Sequence, residues 1–306
     1  AYESCLGLVG SEMCIRDRCR TDSIRSFRRP FIIGVIVEFM ITNNQKAFWD
    51  AFGFLYLPQR FSKSEVNDLK KAAIEVIERE GGSDAFCSAP TWAIGAFAER
   101  HDILTDWLAD DRIYGIPEKL LGPDFFLETN AGSVFWGNTR WHGGFQHGVT
   151  PETVHATSKT VMYFDSLNQS NGSLLVIPGT HQFPMGTNIQ VPYSADKDLF
   201  LEEYGVSSTE MPCISLDTEP GDIIVFSERT YHASFGSTKG RLQISAEYGA
   251  NPSNNEQISA IKKDYHDLKF SFHPVDSYVN NANPKIRRMV SKLIELGFPP
   301  AKISDL

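Results

Sequence analysis

The sequence has no basic excess: 29 Lys and Arg stand against 38 Asp and Glu, giving a formal net charge of -9. Binding to DNA or RNA wants a basic face, so nucleic acid is not an expected partner. No apolar run reaches the roughly 18 residues that a membrane span needs, so no membrane partner is expected. Cysteine is scarce, and three of the five, Cys5, Cys14 and Cys19, fall in the first 39 residues. Cys87 and Cys213 remain, far apart and without zinc-type spacing. That argues against a disulfide framework and for a reducing, cytoplasmic setting. Internal repeats and low-complexity tracts are also missing.

The chain has 306 residues, 42% of them hydrophobic, enough for one large domain with a full core. Residues 1–39 differ from the rest. Arg25, Arg28 and Arg29 followed by the apolar 31–37 stretch read as a targeting peptide, but no small-residue cleavage site follows and Glu38 interrupts. The stretch from Ser4 to Arg18 (SCLGLVGSEMCIRDR) resembles translated sequencing-adaptor read-through more closely. On that reading 1–39 is a non-native leader, the native start is Met40, and 40–306 is a single domain.

From Met40 the periodicity predicts a helix over 43–52 and a short buried strand over 54–57. A second helix begins after Ser62, with Glu65 completing a capping box and Val66, Leu69, Ala73, Ile74 and Ile77 on one face. Helices are expected near 102–108 and 113–121. The texture then changes to strands: 125–135, 159–164, 173–177, 222–226 and 241–248. Short strands punctuated by Gly, Pro and Asn indicate a mainly β fold with flanking helices, a sandwich or jelly roll. Residues 183–212 hold no strong strand and are expected to form an insertion, partly helical near 197–204. An amphipathic helix is expected over about 284–296, with Pro284 at its start.

Three sites carry chemistry-bearing residues: His142 in Arg140-Trp141-His142-Gly143-Gly144, His232 in Tyr231-His232-Ala233-Ser234, and Arg241 nine residues later. Two imidazoles, usually with one carboxylate, hold a non-haem iron. An arginine fork matches a carboxylate bidentately. Together with Phe48-Trp49-Asp50-Ala51-Phe52-Gly53-Phe54-Leu55, the hairpin and turn from Gly172 to His181, and Pro220-Gly221-Asp222, these segments make residues 42–250 resemble the phytanoyl-CoA dioxygenase family. The resemblance implies a double-stranded β-helix of jelly-roll, cupin-like form. It implies Fe(II) on His142 and His232, and 2-oxoglutarate anchored by Arg241 and consumed with O2 to succinate and CO2. Ser234 is a candidate for a second contact to that carboxylate, and Asn130 for the other end of 2-oxoglutarate.

The departure from the family is Gly144, which stands where the family has the aspartate of His-x-Asp. His-x-Gly resembles the iron halogenases, in which the vacated position takes chloride or bromide. The leading expectation is therefore oxidative halogenation of an unactivated C–H bond in a small molecule, with Gly144 as the halide site. The alternatives are a hydroxylase or desaturase whose third ligand is water or a remote carboxylate, and a catalytically degenerate binding module. Asp165 and Glu152 are the candidate replacement carboxylates. His181 reads as a structural turn residue, and His147 and His155 as loop histidines that face substrate if they have a role. Trp136 and Trp141 are expected to pack in the core. No feature points to a carrier protein, and none argues against one.

Overall fold

The computed structural model describes residues 40–87, 91–143, 149–185, 198–267 and 274–306. The 1–39 segment, Gly144, His147 and residues 186–197 of the expected insertion lie outside the described residues. Thr42 caps helix α1 (Asn43–Phe52) through a capping box with Gln45. Strand β1 (Phe54–Leu57) follows. Ser62 and Glu65 form the same device at α2 (Lys63–Arg79), which buries Val66, Leu69, Ala73, Val76 and Ile77. Then come β2 (Trp92–Gly95), α3 (Asp102–Ala109) and α4 (Asp111–Leu121). The strand-rich middle runs β3 (Phe126–Phe135), β4 (Thr139–His142), β5 (Thr157–Tyr163), β6 (Leu174–Val176), helix α5 (Leu199–Tyr204), β7 (Ile214–Leu216), β8 (Ile223–Phe226), β9 (His232–Ser234) and β10 (Arg241–Gly249). The chain closes with α6 (Asn255–Asp267), α7 (Asp276–Val279) and α8 (Pro284–Glu295).

These strands form two antiparallel sheets. The six-stranded one has the order β1-β8-β5-β10-β3-β2 and the four-stranded one the order β4-β9-β6-β7. They pack face to face through Phe54, Val161, Leu174, Val176, Ile224 and Phe226, which is the jelly-roll arrangement of a double-stranded β-helix. The outer face of the larger sheet carries Val134, Leu242, Ile244 and Ala246 against the apolar stripes of α2, α3 and α4. Helix α8 buries Ile286, Met289, Val290 and Leu293. At about 1.5–3 kcal/mol for each fully buried aliphatic side chain, it is a substantial brace for that layer. No helix among the described residues is long and apolar enough to cross a membrane. Cys87 and Cys213 are both free.

Strand alternation decides which side chains meet the helices and which meet the opposing sheet. On β3, Asn130, Gly132 and Val134 face the helical layer. Gly132 abuts Phe97, and Asn130 takes the amide of Ala98 on Oδ1 at 2.7 Å. The Asn130 amide donates to Glu99 at 2.8 and 3.0 Å. Burial pushes the Glu99 carboxyl up to about 7 against the opposing pull of that hydrogen bond. A raised folded-state value means that stability is fullest below the unfolded carboxyl's pKa and is lost as pH climbs through about 7. Glu99→Gln should remove this slope. Urea unfolding at pH 5 and pH 8 should show the variant gaining on the native chain at the higher pH by up to about 3 kcal/mol, and equal differences at both pH values would refute it.

Candidate metal centre

His142 ends β4 and His232 begins β9, and the two are register partners. Directly paired residues project to one side, and here the rings lie 4.0 Å apart between centroids. The chain must then leave β4 tightly against residues 228–230. Gly143 allows this: its φ is +113°, and an added Cβ would stand 2.6 Å from the Thr230 carbonyl oxygen. His142 Nδ1 lies 2.8 Å from the Arg140 carbonyl oxygen, and His232 Nδ1 lies 2.8 Å from that of Thr230. A carbonyl only accepts, so each Nδ1 carries the proton and each Nε2 keeps its lone pair. Phe226, from the other sheet, packs on His232 at 4.7 Å. Burial first, and His142 second, hold His232 well below the usual imidazole range, so it is neutral. Two neutral, tautomer-fixed imidazoles side by side suit a divalent iron.

Arg241 opens β10 and is 5% exposed. One of its terminal nitrogens donates to the Gly172 carbonyl and to the Ser234 hydroxyl, and the other reaches Gly137 O at 3.3 Å. Its Nε is buried without a partner among the described residues. Among the described residues no carboxylate pairs with it. A buried guanidinium lacking an anion is costly, and a dicarboxylate co-substrate supplies one. His142, His232 and Arg241 line a single cavity with Tyr163 and Gln243. The residues present therefore fit both Fe(II) and 2-oxoglutarate.

Other expected site residues are distributed differently. Ser234 lines the cavity, but its hydroxyl already donates to Gly172 O at 3.1 Å, so it holds Arg241 in place. Asn130 is not brought to the cavity, because alternation turns it to the helical layer, where Ala98 and Glu99 satisfy it. His181 packs near the Asp50 carbonyl, 3.3 Å from it. Asp165 pairs with Lys70 at 3.2 Å and Glu152 is exposed, so neither supplies the missing carboxylate. Among the described residues no three His, Cys, Asp or Glu side chains gather to hold a metal. Trp141 is buried against Leu175, Phe200 and Tyr231, and Trp136 donates to Ala85 O. Sequence reasoning missed Lys159, Tyr163 and Gln243. Their alternation on two adjacent strands was a usable signal only once the strands were paired.

A sandwich that places an iron-ready histidine pair beside an arginine awaiting a carboxylate belongs to the Fe(II)/2-oxoglutarate-dependent oxygenases, and the comparisons with known proteins agree. The chain belongs to the phytanoyl-CoA dioxygenase (PhyH) family, whose sequence pattern matches residues 49–242. It is 26% identical over 223 residues to the ectoine dioxygenase of Sphingopyxis alaskensis, covering 64% of this chain and 71% of that protein. Among solved structures, HygX from Streptomyces hygroscopicus with nickel, 2-oxoglutarate and hygromycin B bound aligns with a TM-score of 0.53 at 17% identity, over 69% of this chain and 88% of that one. EctD from S. alaskensis with 2-oxoglutarate and 5-hydroxyectoine aligns with a TM-score of 0.52 at 20% identity, over 72% and 79%. These structural likenesses establish the double-stranded β-helix.

Proposed function

We propose that this chain hydroxylates an unactivated C–H bond of a small molecule, with Fe(II) on His142 and His232 and 2-oxoglutarate on Arg241. The observation that carries the reading is the buried Arg241 fork, without a carboxylate of its own among the described residues, in the cavity of the two lone-pair-bearing histidines. Bound Fe(II) would supply oxidation by O2 at the cost of 2-oxoglutarate. The chain's own residues orient and shield. Ser234 and Gly172 O fix the Arg241 fork, and Val161, Leu174 and Phe226 wall the cavity with apolar surface. Burial raises the Tyr163 phenol above its ordinary value, so it remains a neutral donor in the cavity. The likeness to a dioxygenase favours hydroxylation, with water in the position the family gives to an aspartate.

Gly144 favours a second reading, halogenation. A glycine there leaves an open position and one fewer negative charge, which chloride or bromide restores. A chloride titration of the anaerobic Fe(II)–2-oxoglutarate complex, followed by visible absorbance, separates the two before any substrate is known. Hydroxylation predicts an unchanged spectrum at saturating chloride, and Gly144→Asp that keeps or improves metal affinity. A chloride-dependent shift of the charge-transfer band that Gly144→Asp abolishes would overturn hydroxylation in favour of halogenation.

A further inference from the structure

We infer that the inner face beyond the histidine pair is a binding site for a cationic nitrogen of the substrate, an ammonium or amidinium group; this deepens the oxygenase reading above and rests on it. Thr157, Lys159 and Val161 alternate onto one face of β5, the face that carries the cavity. Lys159 lines that cavity with both histidines. Across the sheet Lys159 is the register partner of Glu247, to which its ammonium is bonded. Glu228 stands 3.8 Å from the same ammonium. A bulge at Glu247/Tyr248 shifts the register so that Glu128 comes to this face as well. Its carboxylate lies where a side chain on Gly249 would begin, and Gly249 is the register partner of Thr157. Glu128 is in turn bonded to His155 at 3.2 Å.

Two carboxylates therefore meet at Lys159, and a third, Glu128, sits on His155 beside them. Arg229 lies nearby, with its guanidinium directed at the His155 carbonyl at 3.3 and 3.4 Å. Burial, with Glu247 and Glu128 adding to it, holds the Glu228 carboxyl well above the usual carboxylate range, and Glu228 shares a hydrogen bond with Glu247. Three carboxylates set against the two full cations Lys159 and Arg229 leave an excess of acid. A cationic ligand offsets that excess. Lys159 does not make the site prefer an anion, because Glu247 and Glu228 already surround its charge.

An independent observation points to the same place. Thr157 is 7% exposed, and its hydroxyl has no partner among the described residues. By alternation and register it projects beside the Glu128 carboxylate. A buried hydroxyl without a partner is unfavourable, and an N–H donor from a ligand satisfies it. The site is also reachable: 33% of the Glu228 side chain and 22% of that of Lys159 are exposed.

The probes are 1,5-diaminopentane and its neutral counterpart pentane-1,5-diol, titrated by calorimetry into the full chain loaded with Zn(II) and 2-oxoglutarate. The diamine should bind at least about 10-fold more tightly than the diol, as expected for a charge-assisted bond. Glu228→Gln and Glu247→Gln should each weaken the diamine by about 10-fold or more while Zn(II) and 2-oxoglutarate still bind. Equal binding of diamine and diol, binding of neither, or two glutamine variants that bind the diamine as the native chain does would overturn the proposal. Loss of Zn(II) or 2-oxoglutarate binding in the native chain is a separate result that would count against the oxygenase reading instead. The comparison of diamine with diol uses the native chain alone, so it stands even where a variant fails to fold.

Discussion

His232→Ala should yield a folded protein that no longer retains Fe(II). The ring is 8% exposed and lies between Phe226 and His142, so its removal should cost about 1–3 kcal/mol of stability as an ordinary buried truncation. The loss of metal affinity is much larger. Even an outer partner of a metal ligand is worth about 10- to 100-fold in affinity, so loss of one of the two proposed imidazole ligands should exceed about 100-fold. His142→Ala should match it in metal binding with a smaller loss of stability, because His142 is exposed. Titration of Fe(II) under anaerobic conditions, with a thermal melt as the folding control, measures both. A His232→Ala protein that binds Fe(II) with native affinity would remove the histidine pair from the metal site.

Arg241→Ala should leave the metal site intact and weaken 2-oxoglutarate. Deleting one partner of a charge-assisted pair costs about 1.5–3 kcal/mol, or about 10- to 150-fold in affinity. The ligand-free protein should lose little stability, since the variant discards a buried cation whose Nε has no partner along with its bonds to Gly172 and Ser234. Arg241→Lys should not restore affinity, because a single ammonium does not reproduce a planar two-nitrogen fork. Gly172 is part of this arrangement. An added Cβ there would stand 2.9 Å from a guanidinium nitrogen, on a backbone with φ of +103°. Calorimetry of 2-oxoglutarate binding to the Zn(II) protein tests the role, and native affinity in Arg241→Ala would refute it.

The long, strongly periodic elements were legible in the sequence. Ser62 with Glu65 announced α2, Pro284 announced α8, and the strand-rich runs over 125–135, 159–164 and 241–248 announced β3, β5 and β10. Among the strands of three or four residues, β1, β6 and β8 were legible as apolar runs between turn signals, whereas β2, β4, β7 and β9 carry no such run and too few alternations to register a period. β4 and β9 are the strands that bear the two histidines, so that pair was singled out through its motif and not through its secondary structure. Asn130 shows the opposite failure. A buried polar residue on a strand near the site is a reasonable ligand contact until the pairing register shows which way it points.

The sequence by itself determined the mainly β class, the two histidines, Arg241, and the glycine where the family has an aspartate, because these depend on local pattern and residue identity. Tertiary structure alone decided that His142 and His232 are register partners with fixed tautomers, that Arg241 is buried without a carboxylate among the described residues, and that Glu228 and Glu247 meet at Lys159 beside the Glu128–His155 pair. Each of these is a meeting of strands distant in the chain. Register and a single bulge set which side chains share a face, and a one-residue slip, invisible to composition or spacing, would have turned them apart.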